Sequence, residues 1–278
     1  MPEGVPPPRP GPRLESVSGW FFLRFGPRLP PWPRPETPAR LQPFEELEIE
    51  RRGRGGSLHA TFFPAEGAAR GAVLFLHPWL EFGQGYFHRR GRIEAVRRAG
   101  YHALAVDLSG FGRSAPPLGL FDRDVEDALD ALGARVPGLP LCVWGVSSGG
   151  YWAHPVLARR DGVVAAMFED VSPHLFEWSL REMPSGAPFF VFFRVAFRRS
   201  YRFLDLRRHA PFLRLRAASY VSGARDNGVR PDDTRTLARL AGARAHIVAG
   251  APHLGAIKRD TQGVLALALE TFERALRA

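Results

Sequence analysis

From Glu45 onward the chain alternates short apolar runs with amphipathic stretches. "ELEIERRGRGGSLHATFFPAE" sets two alternating runs around a glycine-rich turn, which predicts a β-hairpin. "GAVLFLH", "HALAVDL", "LCVWG", "VVAAMFED", "AASYVSG" and "AHIVAG" are unbroken apolar runs of strand length. Between them lie stretches of helical character: "RIEAVRRAG", ending at Gly100 where a C-cap fits; "DVEDALDALGARV"; the residues after "SSGG"; "DDTRTLARLAG"; and a last one closing on "LALALETFERALRA". A strand covered on both faces shows no polar side to water, so its apolar run is continuous. The pattern predicts an α/β fold with a mostly parallel central sheet and helices on both faces, forming one domain over 45–278. One insertion, at about 172–216, interrupts the alternation.

Residues 1–44 read differently. "PPPRPGPRL" and "GPRLPPWPRPETPAR" repeat proline, which removes amide donors and disfavours helix, so an extended arm without its own core is expected. Within it "GWFFLRFG", Gly19 to Gly26, is too apolar for a linker and is expected to dock on the domain surface, with a membrane contact or a partner site as alternatives. The start "MPEGVPPPRP" lacks a basic segment followed by an apolar one, and no run approaches the roughly 18 apolar residues of a membrane span. The single cysteine, Cys142 in "LCVW", reads as a buried strand position and cannot form an internal disulfide. A cytoplasmic protein is expected.

Charge adds one feature. The formal net charge is +10, and Lys258 is the only lysine among 38 basic residues. Between Ser172 and Arg216 nine arginines face three acids, Glu177, Glu182 and Asp205, a net of +6. Most of the excess therefore sits in the insertion.

The candidate chemistry begins at "GVSSG", Gly145 to Gly149, which fits G-x-S-x-G with Ser147 at its centre, after an apolar strand and before a helix. A nucleophile exposed on so sharp a turn needs small residues two before and two after it. Ser147 has Gly145 and Gly149 there; Ser148 would have Val146, so Ser147 is the candidate nucleophile. A serine hydroxyl needs a base and a group to orient that base. Asp226 follows the strand "AASYVSG", and His253 follows "AHIVAG" in a glycine-flanked loop, both at the sheet edge where open α/β sheets gather their sites. Glu169 and Asp170, at the end of the preceding strand, are rival acids. His59, His88, His102, His154 and His246 lie in or beside predicted elements, and His174 and His209 lie in the insertion; only His253 follows a late strand in a glycine-flanked loop, and it is the candidate base. For the oxyanion, the backbone N–H of Ser148 is one expected donor. The loop "FLHPWLEFGQG" should supply the other, and since Pro78 has no N–H, Trp79 is left.

In these stretches the chain resembles the α/β-hydrolases of serine esterase type. "LHPW" stands where that family has a His-Gly loop, "DLSGFGRSAPP" resembles its D-x-x-G-x-G-x-S turn after the fourth strand, and "GVSSGG", "GARDNGVRP" and "GAPHLG" follow in the family's order over about residues 71 to 255. The resemblance implies a triad of Ser147, Asp226 and His253 and a cap between the sixth and seventh strands. Proline for glycine at position 78 departs from the family pattern, and the arm has no counterpart in it. Relatives that act as dehalogenases or epoxide hydrolases carry an aspartate nucleophile, against which Ser147 argues.

In the insertion Phe189, Phe193, Phe197 and Tyr201 recur every fourth residue, with Arg194, Arg198 and Arg202 as a second stripe, predicting an amphipathic helix. Its aromatic side suits a lid over the core or an acyl pocket, and its basic side suits anionic lipid or a phosphate-bearing carrier. The expectation is a serine hydrolase of a small-molecule carboxylic ester, through an acyl-enzyme and with a hydrophobic acyl group. A thioesterase or acyltransferase with the same residues and a non-catalytic scaffold are the alternatives. No pattern calls for a cofactor or metal, and no nucleic-acid motif accompanies the charge.

Overall fold

A computed structural model of the chain describes residues 39–79, 83–117, 119–182 and 187–278, with the side chains of 187–190 and 193 outside the description. Most of the arm, including "GWFFLRFG", and the Phe189 and Phe193 side chains thus lie outside the described residues.

Eight strands form one sheet: β1 (Glu45–Glu50), β2 (Ser57–Phe63), β3 (Gly71–Leu76), β4 (Tyr101–Val106), β5 (Leu141–Val146), β6 (Val163–Glu169), β7 (Ala217–Gly223) and β8 (Arg244–Val248). Their order is β1-β2-β4-β3-β5-β6-β7-β8. The β1–β2 hairpin pairs antiparallel, β2 joins β4 antiparallel, and every later pairing is parallel. The chain runs outward from β3 to β4, then returns to the other side of β3 as β5. That reversal opens a crevice at the strands' carboxyl ends.

The helices are α1 (Gly85–His88), α2 (Arg92–Arg98), α3 (Asp122–Arg135), α4 (Ser148–Leu157), α5 (Leu175–Glu182), α6 (Ala187–Ala196), α7 (Arg198–Phe203), α8 (Pro231–Leu240), α9 (Ala256–Arg259) and α10 (Thr261–Arg277). Their ends follow local chemistry. Pro231 opens α8 with Asp232 and Asp233 in its first turn, where the helix's positive end favours carboxylates. The Asp260 side chain caps α10 by accepting from the Gly263 N–H at 2.8 Å.

Strand alternation sends neighbouring side chains to opposite faces, and the core divides accordingly. Leu74 and Leu76 of β3 pack with Val125, Leu129 and Val156 under α3 and α4. Val73 and Phe75 pack with Trp144, Ile93 and Phe272 under α2 and α10. β3 and β5 are buried at every position, which is why their sequences show no alternation. Cys142 is a free, buried thiol in β5.

The insertion forms α5, α6, α7 and two short 3-10 turns between β6 and β7. The single amphipathic helix expected over Phe189–Tyr201 is in fact two: α6 stops at Ala196, and Phe197 leaves the helical region at φ −120°, ψ 47°. The four-residue aromatic stripe is thereby cut, and Phe197 and Tyr201 fold down to pack on the core while Val191, Phe192 and Val195 face outward.

One ion pair lies inside. The Arg92 guanidinium donates from Nε at 3.0 Å and from Nη2 at 2.7 Å to the Glu169 carboxylate, both side chains being fully buried, and the Trp144 Nε1–H donates to the same carboxylate at 2.5 Å. Removing one member leaves the other charge out of water without a counter-ion. Glu169→Gln is expected to lower unfolding free energy in urea by about 3–5 kcal/mol. Replacing both partners with apolar residues should recover part of that loss, and an unchanged midpoint for the single variant would contradict this reading.

Candidate active site

The turn from β5 into α4 is built by close approach. A Cβ at Gly145 would stand 2.5 Å from the Gly150 Cα, and one at Gly149 would stand 2.2 Å from the Leu76 carbonyl oxygen. Gly150, which the motif does not demand, is equally confined, with Val171 Cγ2 at 2.5 Å from its would-be Cβ. Ser147 sits at the apex with φ 48°, ψ −114°, a conformation a non-glycine residue holds only under constraint. Its own N–H is tied to the Glu169 carbonyl at 2.7 Å. Ser148 is the first residue of α4, so its N–H is among those a helix start leaves without an intrahelical acceptor.

The structure brings Ser147, His253 and Asp226 together. The Ser147 Oγ lies 3.3 Å from His253 Nε2, and His253 Nδ1 lies 2.6 Å from Asp226 Oδ2. The Asp226 side chain is fully buried, whereas that of His253 is 30% exposed. The other Asp226 oxygen accepts the Val229 N–H at 2.8 Å. Packing sets the meeting point: a Cβ at Gly223, the last residue of β7, would stand 2.1 Å from the Ala251 carbonyl, so the loops carrying the two side chains touch. Burial works against a charged imidazole here, but the hydrogen bond and charge of Asp226, with Asp170 and Glu182, outweigh it and lift the His253 pKa above its ordinary 6.5.

The rival acids have other partners. Glu169 is held by Arg92 on the far face. Asp170, fully buried, accepts the Gly223 N–H at 3.3 Å and the Leu254 N–H at 3.0 Å, thereby linking β6 to the loop that carries His253. Asp170 and Leu254 also have positive φ, 50° and 56°; with Ser147 they are the non-glycine residues of that kind among those described. Burial drives the Asp170 carboxyl up to about 7, opposed by His253 and reinforced by Asp226 and Glu169. No sequence motif announced this staple. A carboxylate directly after a strand was the one available sign.

Ligand atoms of Asp170, Asp226 and His253 come within 4.8 Å of one another, the one such grouping among the described residues. Their lone pairs already serve backbone amides and one another, an arrangement suited to orienting an imidazole more than to holding a cation.

The loop after β3 is held by His77, which donates from Nδ1 to the Pro78 carbonyl at 2.8 Å and accepts the Leu108 N–H on Nε2 at 3.0 Å. Burial lowers its pKa, which keeps the ring neutral and able to do both. Trp79 follows, half-buried, edge-on to Phe111 and Phe121. The "DLSGFGRS" turn is structural: Asp107 accepts the Gln84 N–H at 2.7 Å, and Ser114 Oγ donates to the Asp107 carbonyl while accepting the His59 N–H at 2.8 Å. His59, His154, His174 and His209 are all buried away from Ser147, with partners of their own.

The chain is similar to known proteins in sequence over part of its length and in fold over most of it. A family model described as serine aminopeptidase, S33, matches residues 67–184, a span that holds Ser147 but stops short of Asp226 and His253. Protein ABHD14A of Mus musculus is 35% identical over 65 residues, which is 23% of this chain and 26% of that protein. The chain thus spans about a quarter of the curated relative it matches. Among solved structures, the esterase Pf2001 of Pyrococcus furiosus superposes with a TM-score of 0.68 at 16% identity, covering 83% of this chain and 91% of its own. A thermostable carboxyl esterase from Bacillus coagulans gives 0.67 at 14% identity, covering 84% and 99%. At such identities these likenesses establish the fold.

The electrostatics fix a sign that NMR can read. A histidine whose folded pKa is raised stabilises the protein fully below its unfolded value near 6.5, and loses that contribution as pH rises through the folded value. The His253 imidazole should titrate above 6.5, and Asp226→Asn should bring its midpoint down. A midpoint below 6.5 in the unaltered protein would contradict the arrangement.

Proposed function

We propose that this chain, which has the α/β-hydrolase fold, is a serine hydrolase of carboxylic esters with hydrophobic acyl groups, working through an acyl-enzyme. The observation that carries this reading is the continuous file of Ser147 Oγ, His253 Nε2, His253 Nδ1 and Asp226 Oδ2, at 3.3 Å and 2.6 Å.

In the proposed cycle His253 Nε2 takes the Ser147 proton as Oγ attacks the ester carbonyl. The imidazolium formed next to the buried Asp226 carboxylate is the species that neighbour favours. The tetrahedral oxyanion faces the free N–H of Ser148, at the positive end of α4, and the N–H of Trp79 from the loop fixed by His77. Collapse expels the alcohol, which takes its proton from Nε2. Water then repeats the sequence and releases the acid. Trp79, half-buried after His77, packs edge-on against the buried Phe111 and Phe121, an apolar surrounding that supports an apolar acyl group. The Pyrococcus furiosus and Bacillus coagulans proteins of like fold are esterases, which supports the same bond type.

Hydrolysis of p-nitrophenyl esters of graded chain length tests this. Ser147→Ala should lose roughly 10³-fold or more in kcat, together with labelling by a fluorophosphonate, and Asp226→Asn should lose about 10⁴-fold by leaving the imidazole in the wrong tautomer. The kcat/KM profile should rise through a midpoint above pH 6.5, since only neutral His253 accepts the proton. Full turnover by Ser147→Ala would sink the proposal.

A further inference from the structure

The insertion carries two features the ester chemistry does not use. First, Val191 and Phe192 are 61% exposed and Val195 is 76% exposed; these are the exposed large hydrophobic residues among those described, and all lie on α6. Positions i, i+1 and i+4 of a helix make one ridge. Second, a cavity of about 590 Å³ opens beside that ridge, with Val195 and Arg194 on its wall. Arg198, Arg202, Arg207 and Arg208 complete its basic lining, against Glu177 and Asp205.

The charges in this cavity are not equivalent. Arg207 is spent on Asp205 and Glu177, and Arg208 leans toward Asp205 at 3.9 Å. Arg194 lies over the Tyr201 ring at 5.8 Å. Arg198 and Arg202 are exposed and have no ion pair among the described residues. The acids are thus neutralised from within, and the outward arginines have charge to spare next to an apolar ridge.

We propose that this cap face is a docking surface for an anionic phospholipid membrane: the Val191–Phe192–Val195 ridge enters the acyl boundary, and Arg194, Arg198 and Arg202 take lipid phosphates at the headgroup level. An apolar ridge flanked by unpaired arginines matches the layering of an anionic interface, apolar inside and negative at the headgroups. Two other occupants fit the charge less well. A second copy docked through the same face would set arginine against arginine. The segment 1–38, which holds "GWFFLRFG", has five arginines against three glutamates and so brings further positive charge to a positive face. The docking requires no hydrolysis and is read without it.

Co-sedimentation of the full chain with vesicles tests the idea. Partition onto phosphatidylcholine–phosphatidylserine vesicles should be strong and should weaken with added salt, while pure phosphatidylcholine vesicles should retain little. At about fivefold per arginine near an anionic surface, Arg198→Gln with Arg202→Gln should weaken partition roughly 25-fold. Phe192→Ser with Val195→Ser should weaken it without altering charge; all four positions are exposed, and circular dichroism checks the fold of each variant. Equal partition on both vesicle types, none on either, or partition indifferent to both pairs of substitutions would overturn the proposal. So would calorimetric binding of inorganic pyrophosphate, lost in the arginine pair, by a protein that ignores vesicles: the cavity would then serve a soluble phosphate. Sedimentation of the unaltered chain as a dimer that Phe192→Ser dissociates, without vesicle binding, would assign the ridge to a second copy.

Discussion

The contact on which the rest depends is the one between the β5–α4 turn and the end of β3. Gly149 lies so near the Leu76 carbonyl that no side chain fits between them, and Gly145 is equally tight on Gly150. With both sides closed, the chain can reverse from strand to helix only through a strained apex, and the residue at that apex, Ser147, must turn its side chain out over the sheet edge. Strain of this kind costs of order 1–3 kcal/mol and survives because the surrounding core over-determines it. β3 and β5 are buried at every position, which is the rigidity the turn needs.

Asp170 extends the same logic to the histidine. It accepts amides from the end of β7 and from the loop after β8, and it has positive φ, as does Leu254, whose N–H it takes. Among the described residues, non-glycine backbone of positive φ, at 147, 170 and 254, is thus confined to those that bring Ser147 and His253 within reach of each other. The three loops are fastened by side-chain-to-backbone bonds, not by length or stiffness, and a carboxyl group serves because it accepts from two amides at once.

Much of this was legible in the chain. Unbroken apolar runs gave away strands covered on both faces, and glycine punctuation located the serine turn. His253 could be singled out, and Asp226 put forward as one of three acids, because each follows a strand that must end on the same edge as Ser147. The choice among Asp226, Asp170 and Glu169 was not legible. It turns on Arg92, distant in sequence, which captures Glu169 from the opposite face, and on two amides that occupy Asp170. The cap was misread for a comparable reason. A regular four-residue aromatic spacing suggests one helix, yet the pull of the core on Phe197 and Tyr201 breaks it, leaving Val191, Phe192 and Val195 outward. Tertiary burial overrode local period.

Two carboxyl groups within a few ångströms of one imidazole raise the question of how many negative charges the pocket can hold. Like charges in a buried space resist ionising together. Asp226 has the hydrogen bond to Nδ1 and an amide besides, whereas Asp170, wholly buried, is pushed up to about 7. Burial thus disfavours charge on Asp170, the carboxyl group that does not touch the imidazole. For an acid whose folded pKa is raised, ionisation in the native state costs stability that is lost progressively as pH climbs from about 4 toward 7. Above 7 the ionised Asp170 adds its field to His253 and helps hold the imidazolium. Asp226 orients the ring through its hydrogen bond to Nδ1, and Asp170, when ionised, favours the ring's second proton. The two carboxyl groups divide the work because one touches the imidazole and the other only senses it.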